Sequence, residues 1–188
     1  MSGAEVGKEI LIVAGPNGAG KTTFARDFLN TLSPGLPYVN ADHIAAGLPP
    51  EASSQADFQA GRLMLAELDR LAAEGRSFAF ETTLSGSGYL RRIRQWRSDG
   101  YHVTLLFRSL PSADEAVERV RLRVSQGGHD VPEDVVRRRF EVGLRNFREL
   151  YSEAVDAWVL YDGLQSTPVP TDRSEDLDAS LVGIISQR

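Results

Sequence analysis

Short runs of apolar residues alternate along this chain with longer segments in which apolar residues recur at every third or fourth position. The short runs are rich in β-branched and aromatic residues and end close to glycine, asparagine or aspartate, which is typical of strands. They predict five β-strands, at residues 10–14, 38–40, 77–82, 101–107 and 157–163.

The longer segments have the period of amphipathic helices. They predict six helices, at residues 21–31, 41–47, 53–74, 89–98, 112–126 and 132–154. The apolar pattern of the third helix runs through Phe58, Leu63, Leu65, Leu68 and Leu71. Ser112 and Glu115 have the spacing of a capping box at the start of the fifth helix, and Pro132 suits the first turn of the sixth.

Strands and helices thus alternate five times, which predicts an α/β fold. We expect a three-layer αβα sandwich around a mostly parallel sheet of about five strands, with right-handed crossovers. A single domain is expected over residues 1–166, followed by a peripheral tail at residues 167–188 that is rich in Pro, Asp and Ser. In such sheets ligands bind outside the carboxyl ends of the strands, which carry Gly15, Asn40, Asp42, Glu81, Thr83, Arg108 and Asp162.

Composition and charge narrow the classes of function. The 188 residues carry a net charge of -5, which argues against a general nucleic-acid-binding protein. The chain has no cysteine, no signal-peptide pattern and no apolar run of membrane-spanning length, so we expect a cytoplasmic protein without a membrane partner. The segment 119–148 is locally basic, with eight arginines and four acids. That segment indicates either a specific anionic ligand or helix surfaces with ordinary ion pairs.

The most specific motif follows the first predicted strand and fits G-x-x-x-x-G-K-[ST], the P-loop. It comprises Gly15, Pro16, Asn17, Gly18, Ala19, Gly20, Lys21 and Thr22, with Thr23 beside it. Glycines let the bare backbone approach a triphosphate, and successive N–H groups at a helix start form an anion site. Lys21, one of only two lysines in the chain, can reach the β- and γ-phosphates, and the Thr22 hydroxyl can bind Mg²⁺. We therefore expect ATP and Mg²⁺ as cofactors.

The chain lacks the apolar strand ending in Asp and a catalytic Glu that ATP-driven motors and transporters carry, which favours a P-loop kinase. A kinase needs an acid near the γ-phosphate to accept the proton of the attacking hydroxyl. Asp42 is placed for that role, although it could instead cap the short helix that follows. Glu81 is expected to face the same cleft or to be an exposed carboxylate at the strand end. Thr82 and Thr83 could bond ligand hydroxyls or simply terminate the strand.

Arginines flank the glycine-rich segment "GGHD" and predict a closable lid. Arg119 and Arg123 lie one turn apart on the helix before it, and Arg137, Arg138 and Arg139 open the helix after it. Arginine side chains stabilise the charge that spreads over a transferred phosphoryl group. At least one arginine should therefore reach the cleft on closure, while His129 is a candidate hinge or cap in the loop between the two helices.

Several segments together resemble the zeta toxin family of P-loop kinases. They are "LIVAGPNGAGKTTFA", "VNADHIAAGL", "AGRLML", "FAFETTLSG", "GGHDVP", "RRRFEVGLRNF" and "LYDG", and they cover about residues 10–163. The resemblance implies a bacterial kinase that phosphorylates UDP-N-acetylglucosamine on a sugar hydroxyl with ATP and Mg²⁺. It also implies a cognate antitoxin that binds and blocks the nucleotide site.

The same resemblance implies roles for individual residues. Asp42 matches the general base of the family, and Glu81 and Thr83 match its substrate-binding E-x-T element. The lid arginines of the family fall on the segments that carry Arg123 and the pair Arg138 and Arg139. Arg62, in "AGRLML", stands in the helix where larger toxins have a further substrate-binding acid. That departure leaves the acceptor open, and a related nucleotide sugar is the alternative.

Two other classes of function remain. One is a P-loop kinase for a different acceptor, such as a polynucleotide end or an antibiotic hydroxyl, with the basic helix at residues 91–97 as a candidate nucleic-acid contact. The favoured interpretation of that helix is an ordinary solvent-exposed helix face around Ile93 and Trp96. Nucleic acid is therefore the less favoured partner. The other class is a non-catalytic nucleotide-binding module.

Overall fold

A six-stranded sheet forms the centre of the protein in the computed structural model, which describes residues 7–32, 34–47 and 56–175. The strands are β1 (Lys8–Ala14), β2 (Tyr38–Val39), β3 (Phe78–Thr82), β4 (Tyr101–Ser109), β5 (Ala157–Asp162) and β6 (Pro170–Arg173). Their order across the sheet is β2-β3-β1-β4-β5-β6. The first five are parallel and β6 is antiparallel to β5, so the expected mostly parallel α/β sheet is confirmed.

Helices cover both faces of this sheet. They are α1 (Lys21–Leu32), α2 (Ala41–Ala46), α3 (Ala56–Ala73), α4 (Tyr89–Ser98), α5 (Ala113–Ser125), α6 (Glu133–Asn146), a π-helical segment (Phe147–Tyr151) and α7 (Ser152–Ala154). On one face, Phe24 and Phe28 of α1 pack on Leu11, Val13 and Leu106. The opposite face of the sheet packs against α3, α4 and the π-helical segment. Because both faces of β1 and β4 are buried, these two strands consist largely of consecutive apolar residues.

The register of the strands sets the position of the site. Val13 on β1 lies beside Glu81 on β3, and Ala14 lies beside both Thr82 and Phe107. The carboxyl ends of β1, β3 and β4 therefore meet at one edge of the sheet, next to the start of α1. Because parallel strands all end at this edge, the loops that follow them converge there.

The side of α3 that faces the sheet is the predicted one only in the second half of the helix. Phe58 is 72% exposed and Leu63 is 44% exposed. Leu68 and Leu71 are buried as predicted, and Ala60 and Met64 are buried with them, at spacings of four, four and three residues. This spacing keeps them on one stripe of a 3.6-residue helix, whereas Phe58 and Leu63 fall outside it. Residues 53–55, the predicted start of this helix, lie outside the described residues.

Two later regions show detail that the sequence pattern did not predict. The predicted tail contributes β6, while residues 176–188 lie outside the described part. The predicted long helix at residues 132–154 is divided into α6, the π-helical segment and α7, and Pro132 is the N-cap residue before its first turn. Within the described residues, no helix is both long and apolar enough to cross a lipid bilayer.

Candidate functional site

The loop between β1 and α1 is shaped by three glycines in the left-handed region, namely Gly15, Gly18 and Gly20. A Cβ atom added at Gly15 would overlap the carbonyl oxygen of Arg108 on β4. A Cβ atom at Gly18 would lie 2.9 Å from the carbonyl oxygen of Ala116 on α5. The loop therefore curls tightly against two neighbouring elements, and only glycine fits at both places.

Lys21 begins α1 and is buried, with 7% of its surface exposed. Its Nζ donates to the carbonyl oxygen of Pro16 at 3.0 Å and lies 3.6 Å from Glu81 Oε1. Burial lowers the pKa of Lys21 below its ordinary value, the carboxylates of Glu81 and Asp42 oppose this shift, and Arg123 adds to it. The ammonium group is thus held inside the loop among both acids and one arginine.

The carboxylate of Glu81, at the end of β3, connects the phosphate loop to the second strand. Its Oε2 atom accepts hydrogen bonds from Thr22 Oγ1 at 2.8 Å, Asn40 Nδ2 at 2.8 Å and the hydroxyl of Tyr38. Burial raises the pKa of Tyr38, with the negative charge of Glu81 adding to the shift, so this hydroxyl stays protonated and donates. Glu81 is therefore fixed in the cleft and is not the exposed strand-end carboxylate that the sequence left open.

Asp42 lies in the first turn of α2 and is exposed to the cleft. The sequence left open a capping role for this residue, but the N-cap is Asn40, whose Oδ1 accepts from the backbone N–H of Asp42 at 2.7 Å. The carboxylate of Asp42 is therefore not used as a helix cap. It lines the same cavity as Lys21, and its negative charge is close enough to offset part of the lowering of the pKa of that lysine.

A cavity of about 800 Å³ brings most of the predicted residues together. The predicted residues in its lining are Asn17, Gly18, Gly20, Lys21, Thr22, Thr23, Asp42, Glu81, Thr82, Thr83, Arg123, Arg138 and Arg139. Arg119 and His129, also candidates from the sequence, line it as well. Five candidates do not line it. Arg137 is paired with Asp114 and Glu133 on the surface. Gly15, Pro16 and Ala19 are buried in the loop and shape it from behind. Arg62 is exposed on α3, and its neighbour Gly61 faces the cavity instead.

The segment between α5 and α6 closes one side of this cavity. Arg123 Nη2 donates to the carbonyl oxygen of His129 at 2.7 Å, so His129 holds the loop through its backbone. Gly128 packs so closely that a Cβ atom there would lie 2.6 Å from Cγ of Arg123. The Nε atom of Arg123 is buried without a hydrogen-bond partner in the described structure. Arg138 and Arg139 line the same cavity from α6.

No role was predicted for Tyr38, and Arg108 was predicted only to lie at the carboxyl end of a strand. Arg108, at the end of β4, is only 4% exposed and donates from Nε to the carbonyl oxygen of Ala19 at 2.8 Å. Its Nη2 atom donates to the carbonyl oxygens of Gly163 and Gln165, and its guanidinium lies 5.1 Å from the ring centre of Phe24. The sequence signal for this role was an arginine directly after the apolar residues of β4, because an arginine at a buried position is rare without partners.

Comparisons with known proteins agree with this geometry. Residues 10–150 match a protein family described as an AAA domain. An uncharacterized protein of Haemophilus influenzae is 29% identical over 133 residues, which is 69% of this chain and 91% of that protein.

Solved structures share the fold. A chain from the PezAT chromosomal toxin-antitoxin system of Streptococcus pneumoniae superposes with a TM-score of 0.67 at 15% identity, covering 98% of this chain and 78% of that one. Shikimate kinase from Acinetobacter baumannii, in complex with shikimate, gives a TM-score of 0.52 at 16% identity, covering 96% and 92%. The resemblance to zeta toxins that the motifs indicate is confirmed at the level of the fold, which is that of P-loop kinases.

Proposed function

Since the chain belongs to this AAA-domain family and has the fold of P-loop kinases, we propose that it is an ATP-dependent kinase that phosphorylates a sugar hydroxyl of UDP-N-acetylglucosamine or a related nucleotide sugar. The observation that carries the proposal is the shared cavity. The phosphate loop, the carboxylate of Asp42 and the lid arginines all line one space, so a phosphate donor and an acceptor can meet there.

In the proposed reaction, the oxygen of the acceptor hydroxyl attacks the γ-phosphorus while the bond between this phosphorus and the β–γ bridging oxygen breaks. Asp42 accepts the proton of the hydroxyl, and ADP leaves with the bridging oxygen. Lys21 and the N–H groups of the loop hold the β- and γ-phosphates. Arg123 stabilises the charge on the transferred group, and Arg138 or Arg139 completes that role from α6. Closure of the loop around His129 excludes water from the reaction.

The residues around Thr22 fit Mg²⁺. This ion prefers oxygen ligands and is usually held by one or two protein oxygens together with substrate phosphates and water. Thr22 Oγ1 and the Oε2 atom of Glu81, 2.8 Å apart beside Lys21, supply such oxygens. Within the described part of the chain, no group of three or more His, Cys, Asp or Glu residues is arranged to hold a metal ion without a substrate. When bound, Mg²⁺ would neutralise charge on the β- and γ-phosphates.

The lining and the volume of the cavity favour an acceptor that is polar and larger than a single sugar hydroxyl group. Thr83 and the end of Glu81 supply hydroxyl and carboxylate oxygens, and Gly61 on α3 lines the same cavity with no atom within 4 Å of where a Cβ would lie. The volume of about 800 Å³ is near the upper part of the range for small-molecule sites. A phosphate donor and a nucleotide sugar can share such a space only in part-exposed poses, which agrees with a lid that closes after both have bound.

Mass spectrometry tests the proposal directly. The protein is incubated with ATP, Mg²⁺ and UDP-N-acetylglucosamine, and the sugar nucleotide is examined for one added phosphate. We expect this product from the wild type and from Asp134→Asn, a matched control on the exposed first turn of α6. Asp42→Asn should lower the rate by about 10²- to 10⁴-fold while ATP still binds. Undiminished transfer by Asp42→Asn would remove Asp42 from the role of base.

The same assay separates the other acceptors. Phosphate on a 5′-hydroxyl oligonucleotide, and none on the sugar nucleotide, would identify a polynucleotide kinase. Two of the four arginines on α4, Arg92 and Arg97, are already paired with Asp69 and Asp156, which weakens that alternative. Tight ATP binding without product from any acceptor would indicate a non-catalytic module.

A protein antitoxin is the proposed partner. The PezAT structure comes from a toxin-antitoxin system, and this chain matches it over nearly its whole length. Such a partner would block the open cavity and prevent ATP from binding, so a neighbouring gene product that copurifies with the chain should raise its Kd for ATP.

A further inference from the structure

We infer that Asn146 is a positioning residue for the acceptor, because it holds the loop at residues 83–86 from the same helix that carries the lid arginines. The inference rests on the proposed function, in which Thr83 contributes to the acceptor side of the cavity. Asn146 itself lies at the end of α6, is 8% exposed and is not among the residues that line the cavity.

The loop has a backbone conformation that requires outside support. Leu84 has a positive φ of 52°, which is uncommon for residues other than glycine, and its side chain is fully buried. The neighbouring hydroxyls of Thr83 and Ser85 lie 2.9 Å apart, and the N–H of Leu84 donates to Thr82 Oγ1 at 3.1 Å. A residue in a sparsely populated conformation persists only where surrounding contacts determine it, and such residues cluster at ligand sites.

Three carbonyl groups of the loop contact one side of the helix that includes α6 and the π-helical segment. The helix backbone at Gly143 packs on the carbonyl oxygen of Thr83, where an added Cβ atom would overlap it. Asn146 Nδ2 donates to the carbonyl oxygen of Leu84 at 2.7 Å. The hydroxyl of Tyr151 donates to the carbonyl oxygen of Gly86 at 2.7 Å. Three of the four residues of the loop therefore contact this helix through their carbonyl groups.

The π-helical segment explains how both polar side chains reach the loop. In a regular α-helix, residues five positions apart differ in direction by about 140°. In the segment Phe147–Tyr151 the hydrogen bonds are of the i→i+5 type, which brings residues five positions apart nearly above one another. Asn146 and Tyr151 can thus face the same loop. Segments of this kind often occur at functional sites.

The same helix also lines the cavity. Val135, Arg138 and Arg139 line the cavity from the first two turns of α6, and Gly143 and Asn146 hold the loop from its last turn. The lid arginines and the acceptor loop are therefore attached to one rigid element. The position of the acceptor relative to the transferred phosphate depends on this attachment, which makes it a determinant of acceptor binding.

The substitution Asn146→Asp tests the inference with little change in volume, because it replaces the donor to Leu84 with an oxygen that cannot donate when ionised. Steady-state kinetics with UDP-N-acetylglucosamine as the probe should show an acceptor KM raised by about tenfold, since a buried carbonyl loses its partner. The KM for ATP should stay within about twofold of the wild type, because the phosphate loop is untouched.

Two further variants guard against a loss of folding. Tyr151→Phe removes only the hydroxyl that contacts Gly86 and should change the acceptor KM in the same direction by less. Ser152→Ala is the matched control, because its hydroxyl donates to the carbonyl of Arg148 within the helix and does not touch the loop. Equal acceptor KM values in wild type, Asn146→Asp and Tyr151→Phe would overturn the inference.

Amide hydrogen exchange separates a failure of the inference from a failure of the proposed function. In Asn146→Asp, amides at residues 84–88 should exchange faster while those of β1 keep their protection. If the wild type phosphorylates no sugar nucleotide, the proposed function fails, and faster exchange confined to this loop would still support the positioning role. Unchanged exchange at these residues would reject that role whatever the acceptor.

Discussion

Thr22 Oγ1 and Glu81 Oε2 lie 2.8 Å apart, although 59 positions separate the two residues along the chain. The contact exists because β1 and β3 are neighbours in the sheet, with Val13 beside Glu81. It places a carboxylate at the hydroxyl that ends the P-loop motif and beside the ammonium group of Lys21. A cation or a phosphate that binds here must therefore meet Glu81 as well.

Glu81→Gln should separate metal binding from nucleotide binding. The change removes a negative charge beside Thr22, so the Mg²⁺ concentration needed for half-maximal ATP binding should rise about tenfold, the effect typical of losing a supporting carboxylate. ATP binding without Mg²⁺ should instead become tighter, because a charge that repels the triphosphate is lost. Titration calorimetry with and without Mg²⁺ measures both, and the exposed Glu74→Gln is the control. If the affinities for ATP with and without Mg²⁺ changed in the same direction, Glu81 would not support the metal ion as proposed.

The pH dependence of ATP binding should report the lowered pKa of Lys21. As the pH rises through that pKa, the side chain loses its proton and its attraction for phosphate. ATP affinity should therefore decrease with rising pH, and the decrease should occur at a pH lower than 10.5, the ordinary pKa of lysine. Glu81→Gln removes the nearby carboxylate that favours the charged lysine, and the fall should move to still lower pH. Affinity measured against pH tests both statements. Affinity that stays constant up to pH 10.5 in both proteins would refute them.

Arg108→Lys should destabilise the protein even though the charge is kept. A lysine cannot donate at once to Ala19 and to the carbonyls of Gly163 and Gln165, so buried carbonyl oxygens lose their partners. The free energy of unfolding should fall by about 2 kcal/mol, and ATP should bind more weakly because Ala19 belongs to the phosphate loop. Urea denaturation measures the first effect. Arg94→Lys, on the exposed side of α4, should leave both quantities unchanged.

Gly128→Ala should displace Arg123, which holds the three atoms nearest to the added Cβ. The added Cβ atom would lie 2.6 Å from Cγ and 2.9 Å from the carbonyl oxygen of Arg123, so this side chain or its loop has to move. We expect kcat to fall by about 10- to 100-fold, because small misplacements of a group that contacts the transferred phosphate are costly. Gly88→Ala, which meets no atom within 4 Å, is the control. Equal kcat values for the two variants would show that Arg123 need not be held in this position.

Much of the phosphate site could be predicted because its determinants are local. The motif from Gly15 to Thr22 occupies consecutive positions between a strand and a helix, and each residue type follows from the approach of backbone to phosphate. Strand and helix periods likewise depend on neighbours within a few positions, so the five parallel strands and the alternating helices were predicted from the sequence. Asp42 and Glu81 could be assigned to one edge because parallel strands end together.

Only the tertiary structure decided which distant residues meet. The bonds from Thr22, Tyr38 and Asn40 to Glu81 depend on the order and register of β1, β2 and β3, which no local pattern encodes. The same holds for the buried position of Arg108, for the exposure of Phe58 on α3 and for the antiparallel strand β6. The π-helical turn that aims Asn146 and Tyr151 at one loop also has no sequence period of its own. Local sequence restricts the backbone of each element, whereas the packing of elements against one another selects the side chains that form the site.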